Sequence, residues 1–152
     1  MNDFKGEDII WLEMSEIIKE NSYKESNSFT AKVIKGRQIG RKIGFPTANL
    51  DILGKPMHLN QGVYGVRVTV SNVVYFGIMN VGKRPTFKEK DPFLHYEVHI
   101  LDFDKNLYGE RLIVDICFFI REEKTFLTVN HLKKQIQQDK VIALKSFKIQ
   151  NN

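Results

Sequence analysis

The feature that most limits the fold is a change of hydrophobic period at Phe29. From there to Ile120 apolar residues fall in short runs with a period of two, and no helical pattern separates them. Phe29-Thr30-Ala31-Lys32-Val33-Ile34 reads as a strand. Gly62 to Val70 carries Val63, Val66, Val68 and Val70 with Tyr64 among them, and Val73 to Met79 is again apolar and β-branched. The polar Ser71-Asn72 break between those runs predicts a hairpin. His95 to Phe103 alternates cleanly, Asp104-Lys105-Asn106 reads as a turn, and Arg111 to Ile120 is a fifth run. Short strands without intervening helices argue against a parallel α/β sheet and for an antiparallel barrel.

Helical spacing flanks this region. Ile9, Ile10, Met14, Ile17 and Ile18, with Glu13, Glu16 and Lys19 on the other side, predict an amphipathic helix over residues 7–20. Asn21 to Ser28 is polar and reads as a linker. Val129, Leu132, Ile136, Ala143, Leu144 and Phe147 make one face of a helix from Thr128 to Phe147, with Thr128 placed to cap its start. Such a helix is expected to cover an open end of the barrel. The 152 residues fit one domain, divided into an extension (1–28), a main domain (29–147) and a tail (148–152). Hydrophobic residues at 42% and charged residues at 27% argue against disorder.

Cys117 is the single cysteine and lies in the apolar run Val114-Asp115-Ile116-Cys117-Phe118-Phe119-Ile120, so a buried, inert thiol is expected. A lone cysteine suits a reducing compartment. The N-terminus is acidic and lacks the positive start of a secretory signal. No apolar stretch approaches the ~18 residues of a membrane span. A cytoplasmic protein without a membrane partner is the expectation.

Lys plus Arg is 23 and Asp plus Glu is 18, a net charge of +5. Lys133, Lys134, Lys140, Lys145 and Lys148 lie on the C-terminal helical pattern and read as a solvated face. Lys32, Lys35, Arg37, Arg41 and Lys42 are instead interleaved with Gly36, Gly40 and Gly44. Glycines at a spacing of four among cations suit a loop whose backbone N–H groups approach an anion; a turn-rich connection is the plainer account. The run is neither a Walker loop nor a dinucleotide fingerprint. Pro46 favours an extended Phe45, and an extended chain would turn Thr47 and Asn49 to the same side. Both are hard, neutral oxygen ligands, suited to a Mg²⁺ that arrives with phosphate oxygens. In the strand Tyr96-Glu97-Val98-His99-Ile100, Tyr96, Val98 and Ile100 would fill the barrel while Glu97 and His99 face a cleft or solvent. A glutamate on a rigid strand beside a phosphate loop can accept a proton from a substrate hydroxyl.

The run Gly36-x-x-x-Gly40-Arg41-x-x-Gly44-Phe45-Pro46-Thr47-Ala48-Asn49 resembles the signature of riboflavin kinases, including the C-terminal half of bacterial bifunctional riboflavin kinase/FAD synthetases. The resemblance continues in Gly62-Val63-Tyr64, Asn80-Val81-Gly82-x-Arg84-Pro85-Thr86-Phe87 and Glu97-Val98-His99-Ile100-Leu101-Asp102-Phe103. It ends in Leu107-Tyr108-Gly109-Glu110 and Arg121-Glu122-Glu123-Lys124-x-Phe126, and covers about residues 29–147 in order. It implies a mainly β fold: a six-stranded antiparallel Greek-key barrel with a C-terminal helix. It implies an ATP:riboflavin 5′-phosphotransferase giving FMN and ADP. By motif, Glu97 would be the general base, and Thr47 and Asn49 would contact Mg²⁺. Gly36, Gly40, Arg41, Gly44, Pro46, Thr47, Ile100, Asp102 and Tyr108 would lie at the nucleotide, and Arg121, Lys124 and His131 at the flavin. Gln38-Ile39 stands where many members have Gly-Arg, so a stiffer loop with one cation fewer is expected. Residues 1–28 do not resemble the adenylyltransferase half and are far too short for it, so FAD synthesis is not expected.

Two other readings compete. A flavin-binding or RNA-linked regulatory protein on the same barrel would have lost turnover; the presence of Thr47, Asn49 and Glu97 together favours the enzyme. A nucleic-acid-binding barrel would want exposed aromatics among cations, whereas Tyr64, Tyr75 and Phe76 fall in apolar runs. The expected partners are riboflavin and ATP, with no nucleic acid, and the expected state is a monomer. For Arg121 the plainer account is a surface ion pair with Glu122 or Glu123.

Overall fold

The computed structural model describes residues 27–36, 39–54, 59–83 and 94–150. The helix expected over 7–20 and the run Arg84-Pro85-Thr86-Phe87 lie outside them. The elements in order are β1 (Ser28–Ile34), α1 (Ile39–Lys42), β2 (Ala48–Leu53), β3 (Gly62–Val70), β4 (Val73–Gly82), β5 (His95–Ile100), β6 (Arg111–Arg121) and α2 (Val129–Gln150). The strands close into an antiparallel barrel in the order β1-β2-β5-β4-β3-β6, with β6 pairing back onto β1. Closure removes every free sheet edge. Because β2 pairs with β5 rather than with β3, the chain follows the Greek-key path that the family resemblance implies.

Period-two patterning puts one side of each strand inside. Phe29, Ala31 and Val33 of β1, Val66 and Val68 of β3, Met79 and Val81 of β4, Val98 of β5 and Leu112 and Val114 of β6 form one buried cluster. Apart from Ala31, each such side chain contributes roughly 1.5–3 kcal/mol on burial. Ser71 and Asn72 have φ of 47° and 69°, the paired left-handed conformation of a two-residue hairpin turn, so the β3–β4 hairpin forms as expected. β2 has no counterpart among the alternating runs, because it is buried irregularly and carries no clean period. β5 ends at Ile100, short of Phe103: Asp102 has a φ of 53°, which turns the chain out of the sheet.

The C-terminal helix departs from expectation. It does not cover an end of the barrel but lies on the outer wall, against β4 and β6. Phe147 stacks on Phe76 at 4.1 Å between ring centroids and tilts against Phe118 at 4.9 Å. Val63, Ile78, Leu101, Phe118 and Ile120 complete this second cluster with Ala143 and Phe147. The reason is the apolar outer face of these strands, which only a packed helix can take out of water. Thr128 caps α2 as expected, its Oγ1 accepting the His131 N–H at 3.1 Å. Lys133, Lys134, Lys145 and Lys148 are exposed, and Lys140 is half-buried. Cys117 is half-buried rather than fully buried, and burial pushes its thiol pKa up.

Candidate active site

The glycine-bearing connection between β1 and β2 is a folded loop built on α1. The Gly40 carbonyl accepts the N–H groups of Phe45 at 2.8 Å and Ile43 at 3.2 Å. Gly44 sits at φ 88°, a conformation that a side chain would strain. Gly36 is needed for a different reason: a Cβ there would collide with the Asn49 side-chain amide. The loop is pinned to β5 by a 2.7 Å hydrogen bond between His99 Nδ1 and the Pro46 carbonyl, and Phe45 meets the His99 ring edge-on at 5.7 Å. Burial lowers the His99 pKa, while the bond to Pro46 acts in the opposite direction.

Between this loop and the β5–β6 connection lies a cleft of about 630 Å³. Val33, Ala48, Val98, Ile100 and Leu107 supply its apolar lining, and among the described residues Lys35, Arg41 and Lys105 bring cations to it and Asp104 an acid. An apolar slot with cations along its wall fits a flat base carrying a polyphosphate. The β5–β6 connection is fixed to β1 by the Gly109 N–H to the Val33 carbonyl and the Val33 N–H to the Glu110 carbonyl, both at 2.9 Å. Tyr108 stands exposed on that connection.

Glu97 lies beside the cleft on the outward face of β5. Thr47 Oγ1 donates to Glu97 Oε2 at 3.4 Å. Asn49 is the direct cross-strand partner of Glu97 and is 8% exposed. Thr47, Asn49 and Glu97 therefore converge on one side of the β2–β5 pair, as the extended reading of Thr47 to Asn49 requires.

A family model described as Flavokinase: Riboflavin kinase matches residues 23–147. This chain belongs to the riboflavin kinase family. It is 42% identical over 120 residues to the RNA-binding riboflavin kinase RibR of Bacillus subtilis, covering 77% of this chain and 50% of that protein. It is 39% identical over 131 residues to the bifunctional riboflavin kinase/FMN adenylyltransferase of Haemophilus influenzae, covering 86% of this chain and 41% of the relative. The chain thus spans half or less of the length of these curated relatives. A crystal structure from Streptococcus pneumoniae, named as a macrolide-efflux protein, superposes with a TM-score of 0.74 at 28% identity, covering 91% of this chain and 46% of that one. Riboflavin kinase from Trypanosoma brucei shares the fold, with a TM-score of 0.55 at 20% identity, covering 80% of this chain and 79% of that one.

Of the residues expected at the nucleotide, the structure gathers Gly36, Arg41, Pro46, Thr47, Ile100 and Tyr108 around the cleft with Asn49. Gly40, Gly44 and Asp102 do not line it; the first two shape the loop, and Asp102 is the exposed turn after β5. The segment Phe103 to Leu107 lines the cleft and was missed, because a turn sequence alone does not say what it faces. The residues expected at the flavin sit apart, where β6 runs into α2. Lys124 Nζ reaches Gln135 Oε1 at 3.5 Å, and His131 is exposed. Arg121 corrects the surface-pair account. Its ion pair is with Asp139, 2% exposed, rather than with Glu122 or Glu123. Nε and Nη2 each donate to one Asp139 oxygen at 2.8 Å, and Nη1 donates to the Glu122 carbonyl at 3.0 Å. Nothing in the local sequence singles out Asp139, which stands 18 residues from Arg121.

Proposed function

We propose that this chain transfers the γ-phosphoryl group of ATP to the 5′-hydroxyl of riboflavin, giving FMN and ADP. The observation that carries the reading is the convergence of Thr47, Asn49 and Glu97 beside a cation-lined cleft, in a chain of this family. Phosphoryl transfer asks a protein mainly for positioning and charge neutralisation, plus one group to handle the nucleophile's proton. Lys35, Arg41 and Lys105 attract and neutralise the polyphosphate. The apolar lining takes up the base, and Tyr108 covers it from the β5–β6 connection. Glu97 accepts the proton of the attacking hydroxyl, held in place by Thr47 and by its strand.

The donor set also fits Mg²⁺. Thr47 and Asn49 offer a hydroxyl and an amide oxygen, hard neutral ligands on one side of the strand pair. No group of three His, Cys, Asp or Glu side chains that could hold a metal occurs among the described residues. Bound there with ATP, Mg²⁺ would supply charge neutralisation at the phosphates.

Thr47→Ala and Asn49→Ala are each expected to raise the Mg²⁺ concentration needed for half-maximal activity by roughly 10-fold or more, with the fold intact. Gly36→Ala is expected to behave like Asn49→Ala, because the added methyl displaces the Asn49 amide. Titration of activity against Mg²⁺ at saturating riboflavin checks all three. An unchanged Mg²⁺ requirement in the first two would reduce them to turn residues.

The proposal is confined to small-molecule substrates. Tyr64 is buried, Tyr75 packs against the barrel cluster, and Phe76 lies under Phe147, so these aromatics form no stacking platform. No helix among the described residues is long and apolar enough to cross a membrane.

A further inference from the structure

The pairing register draws a row around one side of the barrel that joins the two separated groups of site residues. Asn49 pairs with Glu97, Glu97 with Asn80, Asn80 with Val63, and Val63 with Arg121. Directly paired residues share a face and stand about 5 Å apart. The row runs from the nucleotide cleft, past the proposed base, to the β6–α2 junction, and Asn80 is its middle position.

The surroundings of Asn80 single it out. It is the exposed residue in the otherwise buried stretch Gly77 to Gly82. The outer face of β4 is covered on both sides of it. Phe76 and Ile78 lie under α2, in the cluster of Phe147 and Ala143. At Gly82 the Glu123 carboxylate presses on the strand so closely that a Cβ there would collide with it. Between these covers the sheet is open at one amide, one strand away from Glu97. Asparagine is depleted in strands, and a purely structural outward position would suit a β-branched residue better.

We infer that Asn80 is a specificity-determining residue that hydrogen-bonds the hydroxyls of the substrate's polyol chain. This rests on the riboflavin kinase reading and extends it. The reacting hydroxyl must reach Glu97, and the chain bearing it must leave along the row, since the cleft on the other side holds the nucleotide. An amide both donates and accepts, so it matches a hydroxyl that does the same. A chain held at its neighbouring hydroxyls presents its terminal one to the base in a fixed orientation, which is the part of catalysis that positioning supplies.

The test compares riboflavin with an analogue whose side chain is 5-hydroxypentyl, which keeps the reacting hydroxyl and lacks the others. ATP-dependent phosphorylation and quenching of flavin fluorescence on binding are measured for wild type, Asn80→Ala and Asn80→Thr. Wild type is expected to prefer riboflavin by about 10-fold or more in kcat/KM, as for one or two hydrogen bonds to a neutral group. Asn80→Ala is expected to lose that preference by falling on riboflavin while changing less than about threefold on the analogue. Asn80→Thr, which keeps a hydroxyl and a strand-favouring shape, is expected to fall between. The preference is a ratio within one protein, so a partly unfolded variant does not mimic the result. Equal losses on both substrates, or an undiminished preference in Asn80→Ala, would overturn the assignment while leaving the kinase reading in place. If wild type phosphorylates neither flavin, that reading fails and the assignment fails with it.

Discussion

Glu97→Gln is expected to lower kcat for riboflavin phosphorylation by roughly 10²–10⁴-fold, the range of a lost general base. The amide keeps the shape of the carboxylate and can still meet Thr47 Oγ1, which lies 3.4 Å from Glu97 Oε2. The β5 backbone that carries residue 97 is paired on both sides, with β2 and with β4, so the substitution has little freedom to rearrange the strand. On the proposed mechanism, what disappears is the capacity to take a proton from the 5′-hydroxyl as the bond to phosphorus forms. Riboflavin affinity is expected to change by less than about threefold, because a neutral flavin gains little from a carboxylate's charge. Single-turnover kinetics with flavin binding read by fluorescence separates the two quantities. Turnover near the wild-type rate would show that Glu97 is not the base.

Asp139→Ala is expected to cost about 3–5 kcal/mol of stability, because it strands a guanidinium that has given up water. The Arg121 side chain is only 15% exposed and its paired nitrogens point at the two Asp139 oxygens. Gln135 Nε2 adds a third hydrogen bond to Asp139 Oδ1 at 3.0 Å. Removing the carboxylate therefore opens the junction between the end of β6 and the first half of α2. A loss of that size is a large part of the ~5–15 kcal/mol that holds a domain folded. Arg121→Met with Asp139→Leu should recover much of it, since an apolar pair of similar volume leaves no uncompensated charge. Urea unfolding, read at constant slope, gives the difference. A loss under about 1 kcal/mol for Asp139→Ala would mean that water reaches the pair and that it behaves as a surface contact.

The two predictions mark two kinds of information. Everything that depends on near neighbours along the chain is legible in the residues alone. Alternation in Tyr96-Glu97-Val98-His99-Ile100 was enough to send Tyr96, Val98 and Ile100 inward and Glu97 outward, because side chains of a strand alternate whatever it pairs with. The Ser71-Asn72 turn and the Thr128 cap were legible for the same reason, each resting on backbone groups within three residues. The ordered motifs of the riboflavin kinase family were legible too, since they are strings of residues. Which strands meet is settled only when the barrel closes. The row from Asn49 through Glu97 and Asn80 to Arg121 crosses pairings between segments far apart in sequence, and periodicity carries no record of register between them. β2 escaped because it is buried irregularly. The helix took the outer wall because Phe76, Ile78 and Phe118 had to be covered there, a demand that exists only once the barrel has closed and filled its interior. Asp139 found Arg121 by the same route: a buried carboxylate on one helix face needs a cation, and which one is settled by where the helix lands.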